Sequence, residues 1–87
     1  MDLQARLDEL LRVAEEMGLT IQRAWLGGEG GGFCIVKGQK RLFVDSQADV
    51  ETRYERTLAA MASLEDIDAH FLLPEVREDI DQQRAQG

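Results

Sequence analysis

The run LGGEGGGFC, residues 26–34, sets five glycines and one carboxylate, Glu29, directly ahead of the chain's single cysteine, Cys34. Several kinds of chemistry could follow. A glycine-rich loop can bare backbone N–H groups and cradle an anion. Phosphate loops of that kind open a helix and carry Lys or Ser/Thr after the glycines. Here the glycines lead into Phe33 and Cys34, and Glu29 at the apex would repel an anion. Cys34 could be a nucleophile if a nearby base made its thiolate. The one histidine, His70, lies in a different segment. A Cys34–His70 pair, with loop N–H groups as an oxyanion hole, would therefore have to be assembled by the fold. The plainer readings are a cysteine buried as a small hydrophobe, and a loop that only turns or admits another backbone at close range.

Asp66, Asp68 and His70 form a DxDxH pattern. It lacks the glycine and the distal glutamate of a calcium loop, and one His with one Cys makes no zinc set. No metal and no cofactor are expected. Arg23 and Trp25, with Phe33 and Phe43 not far along the chain, are residue types enriched at protein interfaces. The candidate contact set is thus Arg23, Trp25, Gly28, Glu29, Gly30 and Gly31.

The totals limit the function further. Ten Lys and Arg face seventeen Asp and Glu, a net charge of −7 over 87 residues. Nucleic-acid binders need a basic footprint, so direct DNA or RNA binding is disfavoured, as is an anionic membrane surface. A single cysteine allows no internal disulfide, which suits a reducing cytoplasm. The first residues, MDLQARLDELL, lack a basic-then-apolar block and do not read as a signal peptide. A chain of this length has a thin core, with roughly 4–13 kcal/mol of stability. A second copy is one way to enlarge it.

The elements that would position these residues follow from periodicity. Leu3, Leu7, Leu10, Ala14 and Met17 form a helical stripe over residues 2–17, stopped at Gly18. LTIQRAWL (19–26) alternates, with Leu19, Ile21 and Trp25 on one side and Arg23 interrupting it, as an edge strand would. FCIVK (33–37) is continuously apolar and is expected to be the most buried strand. A tight reversal at Gly38 leads to a third strand, RLFVD (41–45). Ser46 and Asp49 are spaced as a capping box for a helix ending near Ser63, with Val50, Tyr54, Leu58, Met61 and Ala62 on its apolar face. Residues 64–70 read as a connector, and Pro74 opens a third helix carrying Val76 and Ile80. The expected fold is α+β, two layers in the order α-β-β-β-α-α around a three-stranded antiparallel meander. Residues 1–80 read as one small domain, and 81–87 as a polar, frayed tail.

The stretch LGGEGGGFCIVKGQKRLFVD (26–45), with LLPEV at 72–76, resembles a group of small bacterial proteins to which no function is assigned. A second pattern covers about residues 3–60: a helix, a small meander with glycines and a cysteine leading its middle strand, then KG and an apolar strand ending in an acid before a helix. It is similar to the N-terminal scaffold of the small zincin peptidases that cleave phage-type repressors. In that family the next helix carries HExxH, whereas here it reads VETRYERTLAAMASLE, without a histidine. The resemblance implies a related scaffold and no peptidase activity.

Together these features describe a small acidic cytoplasmic module that binds another protein, itself as a homodimer, or both. A Cys34/His70 enzyme and an anion or small-ligand sensor built on the glycine loop are the alternatives.

Overall fold

A computed structural model describes residues 1–28 and 31–86. The first helix, α1 (Leu3–Glu16), begins where the Asp2 carboxylate accepts from Ala5 N at 2.8 Å. It closes with Gly18 N donating to Glu15 O and Leu19 N to Ala14 O, both at 3.0 Å. That pair of reversed bonds satisfies carbonyls the helix leaves open. The strands are β1 (Thr20–Ala24), β2 (Gly31–Val36) and β3 (Gln39–Asp45). Then come α2 (Val50–Ala62), a short 3₁₀ helix (Glu65–Ala69) and α3 (Pro74–Gln86). No helix among the described residues is long and apolar enough to cross a membrane.

The chain is α+β, as expected, but the sheet is not an antiparallel meander. Its order is β1-β3-β2, with β1 parallel to β3 and only β2 antiparallel to it. Ala24 and Gly31 flank the C-terminal end of β3 on opposite sides, paired with Asp45 and Val44. The chain between them therefore has to pass that end. Two strand spacings are only about 10 Å, a distance six residues cover easily. The expectation of a meander rests on there being no connection long enough for a crossover helix; here β2 itself runs back between β1 and β3 in the chain, so β1 and β3 lie parallel without one. The β2–β3 reversal is a two-residue hairpin in which Lys37 and Gly38 both take positive φ, 51° and 79°. This is the geometry that matches the twist of paired strands.

The core lies between one face of the sheet and the helices. Leu42 and Val44 of β3 are buried against Leu7, Leu10, Leu11, Val13 and Ala14 of α1 and Tyr54, Leu58 and Met61 of α2. Ile67, Leu72, Val76 and Ile80 close its lower side, and Ile21 and Phe33 pack at its margin. The alternation of β3 puts Leu42 and Val44 on the helical face and Arg41 and Phe43 on the other. By register, Gln22 of β1 and Gly32 and Cys34 of β2 share that second face, as does Val36 by alternation. None of them belongs to the core cluster, so this face of the sheet has no helix packed on it.

Three expectations are corrected here. The strand expected to be most buried, FCIVK, is an edge strand, with Cys34 exposed and Ile35 59% exposed. The middle strand is RLFVD. The cap of α2 is Asp49, which accepts from Thr52 N at 2.8 Å, and Ser46 lies in the turn before it. Residues 81–86, read as a tail, are helical. Arg84 donates from there to Ala62 O at 3.0 Å, Leu64 O at 3.3 Å and Asp68 at 2.8 Å, tying the last turn of α3 to the end of α2.

Candidate functional site

The end of the sheet where the glycine segment begins is organised by Asp45, the last residue of β3. Its side chain is fully buried and accepts from Leu26 N at 3.0 Å and Gln47 N at 2.9 Å. Gln47 in turn accepts from Gly27 N at 2.9 Å. A strand that ends in a buried carboxylate thus holds both the departing chain after β3 and the chain after β1. The N–H groups of Leu26 and Gly27 are consumed by these acceptors. With a buried carboxylate at its base, this part of the loop is poorly suited to cradle an anion.

Gly31 has a structural task of its own. Its φ is 103°, and a Cβ there would lie 1.9 Å from Phe43 O and 2.7 Å from Phe43 C. The backbones of β2 and β3 approach too closely at this point for any side chain. Gly28 has a φ of 87° with open space around it. Glu29 and Gly30 lie outside the described residues.

Beside this end, Leu26, Gly31, Gly32, Phe33, Cys34 and Phe43 line a shallow groove of about 440 Å³. Gly32 is the register partner of Phe43, so no side chain from β2 covers that ring. Trp25, next to Leu26 in the chain, is 79% exposed. The sequence placed Trp25 with Leu19 and Ile21, but β1 ends at Ala24 and Trp25 lies beyond it. Arg23 is exposed on β1, an edge strand as expected, and its register partner is Val44 on the helical face. There it borders a second groove with Asp8, Leu11, Arg12, Glu15 and Glu16. The structure therefore gathers Gly31 at one end of the helix-free face, with Trp25 and Gly28 on the chain that follows β1, and sends Arg23 to the other side of the sheet.

Cys34 and His70 are not assembled into a pair. Cys34 opens onto the helix-free face, where its thiol is 3.8 Å from Ile35 O. His70 follows the 3₁₀ helix on the helical side, with Nδ1 3.6 Å from a Glu16 oxygen. The DxDxH pattern does not converge either. Asp68 is held by Arg77 and Arg84, each at 2.8 Å, and these partners lower its carboxyl pKa. Asp66 faces Lys40 at 4.0 Å. No group of three His, Cys, Asp or Glu suited to a metal ion occurs among the described residues.

Two partly buried polar clusters lie away from this face and serve the scaffold. Tyr54 of α2 donates to Asp79 of α3, which also takes Arg6 of α1 at 2.8 Å. Burial, with the bond to Asp79 adding to it, pushes the Tyr54 phenol well above its usual range. Glu9 accepts from Arg12 Nε at 2.8 Å and Leu73 N at 3.0 Å, so it fixes the approach to α3. The hydrogen bond from Arg12 is the main cause that lowers its pKa.

Arg41 and Asp45 are not singled out by the sequence as site residues, and Phe43 only as a neighbour of Arg23 and Trp25. The signal was present in the alternation of RLFVD, which sends Arg41 and Phe43 to the same side. Compared with known proteins, the chain matches no family model, no curated protein and no solved structure.

Proposed function

We propose that this chain is a cytoplasmic, non-catalytic protein-interaction module, and that its contact surface is the helix-free sheet face together with Trp25 and the glycine segment beside it. The observation that carries the reading is the placement of apolar side chains. Trp25 is 79% exposed, and Leu26, Cys34 and Phe43 line an open groove that no helix covers. An aromatic side chain of this size buries about 150–200 Å² when covered. At about 25 cal/mol per Å² that is about 4–5 kcal/mol before the costs of association. A solvent-facing tryptophan beside an apolar groove is the usual anatomy of an interface centre.

A second copy of the chain is a further reading, supported by the position of β1. It is a sheet edge with no strand on its outer side, and paired edges are a common route to dimers. Both readings are tested by placing a photo-crosslinking phenylalanine analogue at position 25, and separately at Glu55 on the exposed side of α2. One partner protein, identified by mass and crosslinked from position 25 but not from 55, is the expected result. An adduct of twice the chain mass would assign the surface to a second copy. No adduct, or equal adducts from both positions, would overturn the interaction reading.

A further inference from the structure

The charge of this protein is divided between its two layers. Residues 19–44, which contain the whole sheet except Asp45, carry four cations and one acid, Glu29. The other 61 residues carry six cations and sixteen acids. The sheet segment is thus positive in a chain whose net charge is −7. The two sets of cations are also treated differently. Four of the six cations outside the sheet segment, Arg6, Arg12, Arg77 and Arg84, meet carboxylates, while Arg53 and Arg56 have no ion pair among the described residues. In the sheet segment only Lys40 does, at 4.0 Å. Arg23, Lys37 and Arg41 have no ion pair among the described residues.

Arg41 sits in the middle strand on the helix-free face, with Cys34 as its register partner on β2. Gln22 Oε1 accepts from its Nη1 at 2.9 Å and Gln39 Oε1 from its Nη2 at 3.1 Å. Amide oxygens orient a guanidinium without neutralising it. Its Nε is shielded from solvent and has no hydrogen-bond partner. The fold therefore holds a fixed cation, without an ion pair among the described residues, next to an apolar groove, on a face bordered by the free edge of β2.

We propose that this face docks an extended acidic segment of a partner protein: one carboxylate meets Arg41, apolar side chains fill the groove at Phe43 and Gly32, and the segment's backbone runs along the β2 edge. The proposal rests on the interaction reading above and names the chemistry of its partner. Strand addition supplies main-chain hydrogen bonds, and alternate side chains of the added strand fall on the same face. Charge complementarity selects the occupant. A second copy docked face to face would set Arg41 against Arg41. A nucleic acid needs several cations in a row, one for each phosphate, and the centre of this face offers one. The acidic helical layer lies a sheet-to-helix spacing away, about 10 Å. At physiological salt the Debye length is about 8 Å, so that layer's repulsion is largely screened while a contact at Arg41 is not.

The test uses the full chain labelled with ¹⁵N and three probes: a capped nonapeptide, VTVTETVTV, which sets one glutamate between valines on a single face of an extended strand, the same peptide with glutamine for glutamate, and oligothymidylate of matching length. The acidic peptide is expected to shift the amides of residues 31–36 and to bind roughly tenfold more tightly than its glutamine counterpart, the worth of a charge-assisted hydrogen bond. Arg41→Gln should erase that difference. Arg41→Glu should transfer the preference to the same peptide with lysine in place of its glutamate, a rescue that a merely misfolded variant cannot give. Equal binding of the glutamate and glutamine peptides at β2 would overturn the acidic partner and leave the interaction reading standing. Shifts with oligothymidylate alone, or no shifts at β2 with any probe, would overturn the proposal. The crosslinking at position 25 judges the broader reading independently.

Discussion

Replacing Gly31 with alanine separates a loop made of glycine for binding from one made of glycine for folding. The new methyl group would sit 1.9 Å from Phe43 O, a backbone atom that cannot rotate away. Relief requires β2 to move off β3 or Gly31 to leave its φ of 103°. The conformational cost for a residue with a Cβ is about 1–3 kcal/mol. Displacing packed backbone adds about 1–3 kcal/mol. A loss of about 2–6 kcal/mol follows, a large share of the stability a chain of this length can have. With a urea dependence of about 1 kcal/mol per molar, the unfolding midpoint should fall by about 2 M or more. Gly28→Ala is the matched control. Its φ is 87°, but nothing lies within 4 Å of the added Cβ. It shares the conformational cost of about 1–3 kcal/mol but not the backbone clash, so Gly31→Ala should lose about 1–3 kcal/mol more than Gly28→Ala. Far-ultraviolet circular dichroism is the readout, because Trp25 is already exposed when folded and its emission reports unfolding poorly. Coincident midpoints for Gly31→Ala and Gly28→Ala would refute the close approach as the reason for glycine at 31.

Asp45→Ala should remove the charge-assisted bonds from the partly buried Leu26 N and Gln47 N and cost about 3 kcal/mol in thermal or urea unfolding, with faster amide exchange at both. Tyr54 is the chain's only tyrosine, so its ionisation can be followed alone at 295 nm. Its pKa is raised in the folded state, so the native protein holds that proton more tightly than the unfolded chain does. Stability should therefore be fully present below the ordinary tyrosine pKa of about 10 and decline as pH rises above it. The absorbance should rise only together with unfolding, and a free titration near 10 in folded protein would contradict the burial. Asp49→Ala should cost about 1 kcal/mol as a lost helix cap, and Ser46→Ala almost nothing. The reverse order would restore the cap expected from the sequence.

How much of this was legible depends on which physical signal each element carried. The helices were, because a 3.6-residue stripe such as Leu3–Leu7–Leu10–Ala14 is long enough to fix both type and face. The polar end of α3 was not, since no local pattern says that Arg84 will reach the carbonyls of Ala62 and Leu64. Strand positions were legible and strand order was not. Order is a matter of which edges meet, and the same short alternations fit a meander or a crossing. Trp25 and Gly31 were visible as unusual residues. What makes each of them matter, the exposure of one and the backbone approach of the other, exists only once β1 and β2 lie on opposite sides of β3.

The error about β2 says the most about the surface. A sheet with one wet face should alternate apolar and polar residues, and β1 does so over residues 20–22, with Thr20 and Gln22 turned outward, until Arg23 breaks the pattern. FCIVK does not alternate, and a continuous apolar run was therefore assigned to the middle of the sheet. The chain places it at the edge instead, with Phe33 toward the helices and Cys34 and Val36 on the open side. An exposed apolar edge strand is an aggregation hazard that proteins ordinarily blunt with charge or proline. This one has neither along Gly31–Val36. Its nearest charges among the described residues are Lys37 at the hairpin tip and Lys40 and Arg41 across the register. Under the docking proposal, this local rule is broken because the compensation comes from a partner outside the chain. The apolar pattern of β2 then fits its burial after all, provided the second layer is supplied in complex, with Arg41 deciding which segments are admitted.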